Sequence, residues 1–212
     1  MIVSSTLSRS IDIVRLIAIT GGIGSGKSVV AHIVRVMGYE VYDCDTRAKE
    51  LMTVDTDVKR QLIDIFGQEA YQDDGTINRA HMSAVAFTDN QALARLNAIV
   101  HPATARDLLR WGQNQGNNGA TVAFVETALL RTSGLDQVVD DVWHVTAPEE
   151  VRIKRVMTRN GFTRQQVQSR IASQAIEDIV APGEHAIIND GQQAVLPQVL
   201  RLLTRPIKDK TK

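Results

Sequence analysis

Residues 21–28 constrain the fold most, because Gly-Gly-Ile-Gly-Ser-Gly-Lys-Ser matches G-x-x-x-x-G-K-[ST] at every fixed position. Residues 15–20 form a short apolar run before this segment, and residues 28–37 follow it with apolar side chains at helical spacing. The alternative is a glycine-rich turn that only links a strand to a helix. The strand before it and the helix after it favour a phosphate loop, whose N–H groups and helix N-terminus bind an anion.

This phosphate loop, residues 21–28, predicts a nucleotide site. We expect Lys27 to reach the β- and γ-phosphates of ATP, and the Ser28 hydroxyl to ligate the Mg²⁺ that accompanies the nucleotide. With ATP and Mg²⁺ as cofactors, the sequence predicts a phosphotransferase. The predicted nucleotide-binding residues of this region are Gly22, Ile23, Gly24, Ser25, Gly26, Lys27, Ser28 and Val29.

Short apolar runs alternate with segments of helical periodicity, which predicts an α/β fold with helices on both faces of a parallel sheet. The stretch 46–117 differs, because one helical pattern follows another there without a convincing strand. We interpret it as an insertion between two core strands. The predicted fold is a P-loop kinase core with a parallel five-stranded sheet flanked by helices, plus this helical insertion and a lid. The predicted strands are 15–20, 40–42, 121–125, 141–145 and 186–188.

Proline, glycine and capping residues predict where several helices begin and end. Pro102 should interrupt the helical pattern that begins at Asp89, because proline disfavours a helical conformation in the residue before it. The polar residues 113–119 are typical of a surface loop. Thr163 begins a capping box and should open a helix that ends at Pro182.

Charge and cysteine content limit the classes of function. Lys and Arg together number 24, as do Asp and Glu, so no overall field attracts nucleic acid or an acidic membrane. Cys44 is the single cysteine, which excludes an intrachain disulfide and suits a reducing cytoplasm. No apolar run is long enough to span a membrane, and residues 1–14 are interpreted as a loose leader.

Two carboxylates, Asp43 and Asp45, follow the predicted strand 40–42, at the edge where open α/β sheets bind ligands. Residues two apart on a strand point to the same side, so both are expected to face the phosphate loop. One would act as base toward a hydroxyl acceptor, while the other supports Mg²⁺ through water. The alternative is that they cap the next helix, since Asp is a favoured N-cap.

Basic residues crowd the helix predicted between Pro148 and Gly161. Arg152, Arg155 and Arg159 recur at spacings of three and four, and therefore share one face. Guanidinium groups bind phosphate oxygens bidentately, so a mobile lid that carries an arginine would cover the γ-phosphate and exclude water. The alternative is a solvated helix face.

The chain resembles the dephospho-coenzyme A kinase family from about residue 16 to residue 203. The resemblance implies phosphorylation of the ribose 3′-hydroxyl of dephospho-CoA by MgATP, the last step of coenzyme A synthesis. The residues that carry it are Thr20 to Ser28, Asp43-Cys44-Asp45, His101-Pro102, Glu126 to Leu130, Lys154-Arg155 with Arg159, Arg170-Ile171 with Gln174, and Ile187 to Gly191.

The resemblance also implies a division of the chain and roles for single residues. The implied parts are a leader at 1–14, a nucleotide-binding core at 15–45, 118–147 and 183–212, a helical acceptor domain at 46–117, and a lid at 148–182. The implied catalytic residues are Asp45 as the base, Lys27, and Arg155 as the lid arginine on ATP, with Arg159 also contacting the nucleotide. The residues implied on the acceptor side are Asp43, Asp45, His101, Pro102 and Glu126.

By the same resemblance the partners are ATP and dephospho-CoA. The balanced charge and the lack of a long apolar run predict neither nucleic acid nor membrane as a partner, and we expect a monomer or a weak homo-oligomer. The sequence departs from the family pattern near the acceptor side. Ala128 replaces a proline before two leucines, and Thr132 replaces a glutamate two positions after them. We expect Glu126 to supply the nearby carboxylate instead. His185 stands where an aspartate is common.

Two other functions remain open. One is a P-loop kinase for a different small molecule, such as a nucleoside monophosphate or shikimate. The other is a module that senses nucleotide without turning over a small molecule. The long insertion at 46–117 favours a bulky acceptor, and a panel of acceptors separates the three hypotheses.

Overall fold

The computed structural model describes residues 14–88 and 91–205. Nearly all of the predicted leader 1–14 lies outside the described residues. The same holds for the predicted helix start at Asp89 and for residues 206–212 of the predicted core.

Five parallel strands form one sheet in the order β2-β3-β1-β4-β5, which confirms the predicted architecture. The strands are β1 (Arg15–Thr20), β2 (Val41–Asp43), β3 (Val122–Glu126), β4 (Asp141–Thr146) and β5 (His185–Ile188). β1 lies at the centre of the sheet and pairs with β3 and β4. Because all strands run in one direction, their carboxyl ends meet at a single edge, where open α/β sheets bind ligands.

Helices cover both faces of this sheet. They are α1 (Lys27–Val36), α2 (Cys44–Val54), α3 (Thr56–Phe66), α4 (Arg79–Thr88), α5 (Ala92–Asn117), α6 (Glu149–Asn160), α7 (Arg164–Ser173) and α8 (Val195–Leu203). Ile17 and Ile19 belong to the core cluster that includes residues of α1 and α8. Leu16 and Ala18 belong to the opposite cluster, which contains Leu108 of α5, as expected from the two-residue period of a strand.

Helix α5 runs without interruption through Pro102, so the predicted break is wrong. The proline removes one N–H from the helical ladder, and the carbonyl left without that donor belongs to Ala98. Ala98 is exposed, so water can satisfy its carbonyl. Burial of Ile99, Val100 and Ala103 around the proline offsets the cost of the lost hydrogen bond.

The same helix continues to Asn117, so the predicted loop at 113–119 is wrong over most of its length. Trp111 packs against the cluster that contains Leu16. Gly112 also lies against Leu16, since a Cβ added to the glycine would be 3.3 Å from the Leu16 side chain. Packing on the sheet therefore keeps this polar stretch helical, although its sequence favours a loop.

Pro148 and Gly161 flank α6 as predicted, and Thr163 caps α7 in the predicted capping box. Helix α7 ends at Ser173, well before Pro182, so its predicted end is wrong. The residues after α7 make tertiary contacts instead of helical ones: Gln174 hydrogen-bonds Ile23 in the phosphate loop. Across the described residues, no helix combines the length and apolar character that crossing a membrane requires.

Candidate active site

The phosphate loop connects β1 to α1 at the carboxyl edge of the sheet. Gly21, Gly24 and Gly26 adopt φ angles of +136°, +79° and +100°, which side chains with a Cβ rarely allow. The Ser25 N–H donates to the Gly22 carbonyl at 3.2 Å and tightens the loop. Helix α1 begins directly after Gly26, so its positive N-terminal end lies where the loop can hold an anion.

A cavity of about 490 Å³ opens beside the phosphate loop, and we name it the loop cavity. Gly22 and Ser25, both predicted to bind nucleotide, are buried and do not line it. The other predicted nucleotide-binding residues are among its lining. The residues that line the loop cavity are Ile23, Gly24, Gly26, Lys27, Ser28, Val29, Asp45, Glu126, Ala128, Arg155, Val156, Arg159, Gln174 and Asn189.

Lys27 is held against the loop by its own backbone. Its Nζ donates to the carbonyl of Gly21 at 2.8 Å and to that of Gly22 at 3.3 Å. Burial lowers the pKa of Lys27, and the negative charges of Asp45 and Glu126 oppose this effect. A partly buried ammonium whose hydrogen bonds go to carbonyls gains from a multiply charged anion, so this site suits a polyphosphate.

The arginines of α6 face the phosphate loop, as their spacing predicts, but they make different contacts. Arg152 is buried, and its Nε donates to the Ile23 carbonyl at 2.8 Å. Arg155 Nη1 lies 3.4 Å from the carbonyls of Gly24 and Ser25, and this side chain lines the loop cavity. Arg159 also lines the cavity. Arg155 and Arg159 are therefore placed to contact an anion, whereas Arg152 contacts the loop itself.

Asp43 and Asp45 do not lie on one strand, so their predicted arrangement is wrong. Asp43 ends β2 and is the N-cap of α2, where its carboxylate accepts hydrogen bonds from the Thr46 N–H and hydroxyl at 3.1 and 2.9 Å. Asp45 lies in the first turn of α2, is exposed, and lines the loop cavity. The capping preference of aspartate explains the early start of the helix. Of the two aspartates, Asp45 is the one that lines the loop cavity.

Glu126 adds a third carboxylate at the end of β3, opposite Asp43 in the sheet. Its carboxylate lies 3.7 Å from the Arg35 guanidinium and lines the loop cavity. Burial raises the pKa of Glu126, and the charges of Asp43 and Asp45 raise it further, while Arg35 and Lys27 lower it. Two carboxylates near Lys27, those of Asp45 and Glu126, thus create a field that favours a cation beside a bound anion.

A second pocket, of about 290 Å³, lies between α2, α5 and the loop after β3, and we name it the α2–α5 pocket. It contains His101, whose pKa is lowered by burial and partly restored by a hydrogen bond with the Thr132 backbone. Pro102 does not line it and is exposed. The lining residues are Cys44, Asp45, Ala48, Lys49, Met52, Leu96, Asn97, Val100, His101, Thr104, Thr127, Leu129, Ser133 and Leu135.

Asp45 lines both the loop cavity and the α2–α5 pocket. The two spaces are therefore adjacent, and this carboxylate lies at their junction. A group bound in the loop cavity and a second molecule bound in the α2–α5 pocket would meet beside Asp45. Such an arrangement suits the transfer of a group from one bound molecule to another.

Two polar residues of the loop cavity were absent from the predicted site. Asn189 follows β5, and its Nδ2 donates to the Ser25 carbonyl at 2.9 Å while its Oδ1 accepts from Arg155 at 3.2 Å. A Cβ on Gly26 would lie 2.0 Å from this Nδ2, so the glycine leaves room for the asparagine. Gln174 accepts from the Ile23 N–H at 3.1 Å. Asn189 could have been included in the predicted site because it lies at the carboxyl end of a strand. Only the family resemblance pointed to Gln174.

Replacing Gly22 by alanine should destabilise the contact between the phosphate loop and α6. An added Cβ would lie 1.9 Å from Asp178 Oδ1 and 2.3 Å from Arg152 Nη2, so their ion pair must move. We expect Gly22→Ala to lower the free energy of unfolding by about 1–3 kcal/mol, measured by urea titration. Adding Asp178→Ala should cost less than the sum of the two changes, because it removes the overlap. An unchanged free energy for Gly22→Ala, or strict additivity, would contradict this packing.

The described residues include no group of three or more His, Cys, Asp or Glu side chains that is placed to hold a metal ion. Oxygen atoms nevertheless surround the loop cavity, from the Ser28 hydroxyl and the carboxylates of Asp45 and Glu126. Oxygen donors are the ligands that Mg²⁺ prefers, and it usually binds through few protein groups and the phosphates of a substrate. The residues present therefore fit Mg²⁺ bound together with a nucleotide.

The parallel sheet, the phosphate loop and the adjoining pocket define a P-loop kinase. The sequence profile described as dephospho-CoA kinase matches residues 15–194. The chain is 34% identical over 189 residues to the dephospho-CoA kinase of Porphyromonas gingivalis, covering 88% of this chain and 92% of that protein. The chain therefore belongs to the dephospho-CoA kinase family.

Solved structures agree with this fold. A crystal structure of a Thermus thermophilus protein superimposes with a TM-score of 0.70 at 29% identity, and the match covers 90% of this chain and 94% of the other. A dephospho-CoA kinase from Campylobacter jejuni superimposes with a TM-score of 0.65 at 20% identity, covering 89% of this chain and 94% of the other. At that lower identity the second similarity concerns the fold alone.

Proposed function

We propose that the protein transfers the γ-phosphoryl group of ATP to the ribose 3′-hydroxyl of dephospho-CoA, giving coenzyme A and ADP. The observation that carries this proposal is the position of Asp45, which lines both the loop cavity and the α2–α5 pocket. The nucleotide would occupy the first space and the acceptor the second. We take a reducing cytoplasm as the setting, in keeping with the single cysteine.

In this proposal the loop cavity holds the triphosphate of ATP. Backbone N–H groups of the phosphate loop and the N-terminus of α1 bind its oxygens, and Lys27 leaves its carbonyl partners to neutralise them. Arg155 and Arg159 contribute positive charge from α6. The Ser28 hydroxyl would hold Mg²⁺, whose charge offsets that of the phosphates when the ion is bound.

The acceptor side consists of the α2–α5 pocket. Its many apolar lining residues, among them Met52, Leu96 and Leu129, suit the hydrophobic parts of a large acceptor. His101 lines this pocket and is the histidine that we propose contacts the acceptor. Pro102 would act only indirectly, by shaping α5, and Asp43 would act by capping α2.

Asp45 would accept the proton of the 3′-hydroxyl while the hydroxyl oxygen forms a bond to the γ-phosphorus. The bond between the γ-phosphorus and the bridging oxygen then breaks, and ADP leaves with that oxygen. Lys27 and Arg155 stabilise the charge that moves toward the leaving ADP. Glu126 lines the same cavity and supplies a second carboxylate beside Asp45.

We further propose that residues 46–117 form the acceptor domain and 148–182 the lid. A separate apolar cluster supports the first, since Val58, Leu62 and Phe66 of α3 pack there with Ile99 and other residues of α5. A small cluster of Ile153, Val156 and Val167 supports the second. Closure of the lid would bring Arg155 and Arg159 toward the nucleotide and exclude water.

The proposal is tested by incubating the protein with MgATP and each of four acceptors: dephospho-CoA, AMP, UMP and shikimate. ADP release is followed by a coupled assay, and mass spectrometry of the product locates the added phosphate. We expect release that depends on dephospho-CoA and a product phosphorylated on the ribose 3′-oxygen. Release with another acceptor alone would overturn the proposal, and nucleotide binding without any acceptor-dependent release would favour a sensing module.

A further inference from the structure

The segment that follows α7, residues 174–178, contacts the phosphate loop directly through Gln174 and indirectly through Asp178. Gln174 Oε1 accepts from the Ile23 N–H at 3.1 Å. Asp178 pairs with Arg152 at 2.9 Å, and Arg152 Nε donates to the Ile23 carbonyl at 2.8 Å. The segment therefore holds the N–H of Ile23 directly, and it holds the Ile23 carbonyl through Arg152 of α6. The position of the segment is fixed relative to the phosphate loop.

Between these residues lies Glu177, which is fully buried. Its Oε1 accepts from the Thr132 N–H at 2.8 Å and from the Thr132 hydroxyl at 2.7 Å. Its Oε2 accepts from the Arg131 N–H at 3.2 Å. Burying a carboxylate costs free energy unless its oxygens are hydrogen-bonded. These three donors offset the cost of burying Glu177. The carboxylate thus binds one short stretch of a different loop.

That loop, residues 127–135, forms one wall of the α2–α5 pocket. Thr127, Leu129, Ser133 and Leu135 line the pocket from this side. The backbone of Thr132 also raises the pKa of His101, which lines the pocket from α5. Thr132 joins this wall of the pocket to Glu177, to which it donates from its N–H and its hydroxyl.

We propose that Glu177 is a positioning residue that holds the wall 127–135 of the α2–α5 pocket in place relative to the phosphate loop. Its neighbours Gln174 and Asp178 hold the phosphate loop, so one five-residue segment sets the relative position of the two substrate sites. The inference rests on the proposed function in assigning the acceptor to this pocket. Thr132, found where the family pattern has a glutamate, is the matching partner because its hydroxyl donates to Glu177.

Glu177→Gln tests this role because the side chain keeps its shape but has a single acceptor oxygen. Whichever way the amide is turned, its NH₂ group faces a backbone N–H, and at least one hydrogen bond is lost. We expect the KM for dephospho-CoA to rise by about tenfold and the KM for ATP to stay within about twofold, because Gln174 and Asp178 keep their contacts. Thr132→Val, which removes only the hydroxyl, should raise the acceptor KM by about threefold.

The double variant Glu177→Gln/Thr132→Val should show a smaller rise in acceptor KM than the product of the two single effects, because both changes weaken the same contact between residue 177 and residue 132. Glu150→Gln is the matched control: Glu150 is exposed on α6 and pairs with Arg164, so its KM values should equal those of the wild type. A merely structural Glu177 would lower the active fraction and the melting temperature while leaving the acceptor KM unchanged, and that outcome would overturn the inference.

Thr132→Val keeps the inference testable if Glu177→Gln fails to fold, since an unchanged acceptor KM in a folded Thr132→Val protein would also contradict it. Wild-type protein that uses dephospho-CoA, combined with unchanged acceptor KM values in the variants, overturns this inference alone. Wild-type protein that does not use dephospho-CoA overturns the proposed function, and this inference with it.

Discussion

Lys27→Ala should lower kcat for dephospho-CoA phosphorylation by about 10²–10³-fold, the usual effect of removing one group that stabilises transition-state charge. In the structure Lys27 Nζ contacts the Gly21 and Gly22 carbonyls, and burial lowers its pKa. A phosphate that replaces these two carbonyls would stabilise the charged form of the lysine. The loss should therefore appear in kcat as well as in the affinity for ATP.

Steady-state kinetics with saturating acceptor would give kcat, and equilibrium titration would give the dissociation constant of ATP. Lys59→Ala is the matched control, because Lys59 lines neither the loop cavity nor the α2–α5 pocket and lies 4.8 Å from the centre of the Tyr71 ring. We expect wild-type kinetics from this variant. A near-normal kcat for Lys27→Ala would show that the phosphate loop does not act on the transferred group.

Asp45→Asn should lower kcat by about 10²–10⁴-fold while ATP binding is largely retained. Asparagine has nearly the same size as aspartate but cannot accept the proton of the acceptor hydroxyl. Asp45 is exposed at the start of α2, so the substitution disturbs little packing. The loss should therefore fall on the chemical step, which single-turnover measurements would separate from binding.

Asp43→Asn is the matched comparison for this prediction. Asp43 caps α2 through the Thr46 N–H, and asparagine is an equally good N-cap, so stability and kcat should change little. If Asp43→Asn proves more damaging to kcat than Asp45→Asn, the roles of the two carboxylates are reversed. A normal kcat in Asp45→Asn would show that Asp45 does not act as the base in the proposed mechanism.

The sequence predicted the sheet because each of its strands carries a local signal. β1 is an apolar run that ends in glycines, and its predicted bounds, residues 15–20, are those observed. Pro148 and Gly161 marked the ends of α6 by their fixed backbone preferences. Where a residue's conformation depends on its neighbours in the chain, the prediction agreed with the structure.

The wrong predictions concern segments whose conformation depends on distant residues. Helix α5 continues through Pro102 because residues around the proline are buried. Helix α7 stops early because Gln174 and Glu177 bind residues more than forty positions away along the chain. No pattern within either segment contains that information. Tertiary packing therefore overrode local preference in both cases.

In the candidate site too, local features could be predicted, whereas features that depend on distant residues could not. The phosphate loop was predictable as a connection from strand to helix, because its motif is contiguous, whereas the nucleotide contacts of its residues stay a prediction. The placement of Asp45 at the junction of two cavities depends on α2 beginning at Cys44, which the strand interpretation of residues 43–45 missed. Asn189 reaches the phosphate loop only through the parallel sheet, so its contact with Ser25 needed the fold.

A crystal structure with a non-hydrolysable ATP analogue, Mg²⁺ and dephospho-CoA bound together tests the central claim most directly. We expect the terminal phosphates against the backbone N–H groups of residues 24–29 and the ribose 3′-hydroxyl beside the Asp45 carboxylate. A nucleotide bound away from the phosphate loop, or an acceptor hydroxyl held by another group outside the α2–α5 pocket, would contradict the account.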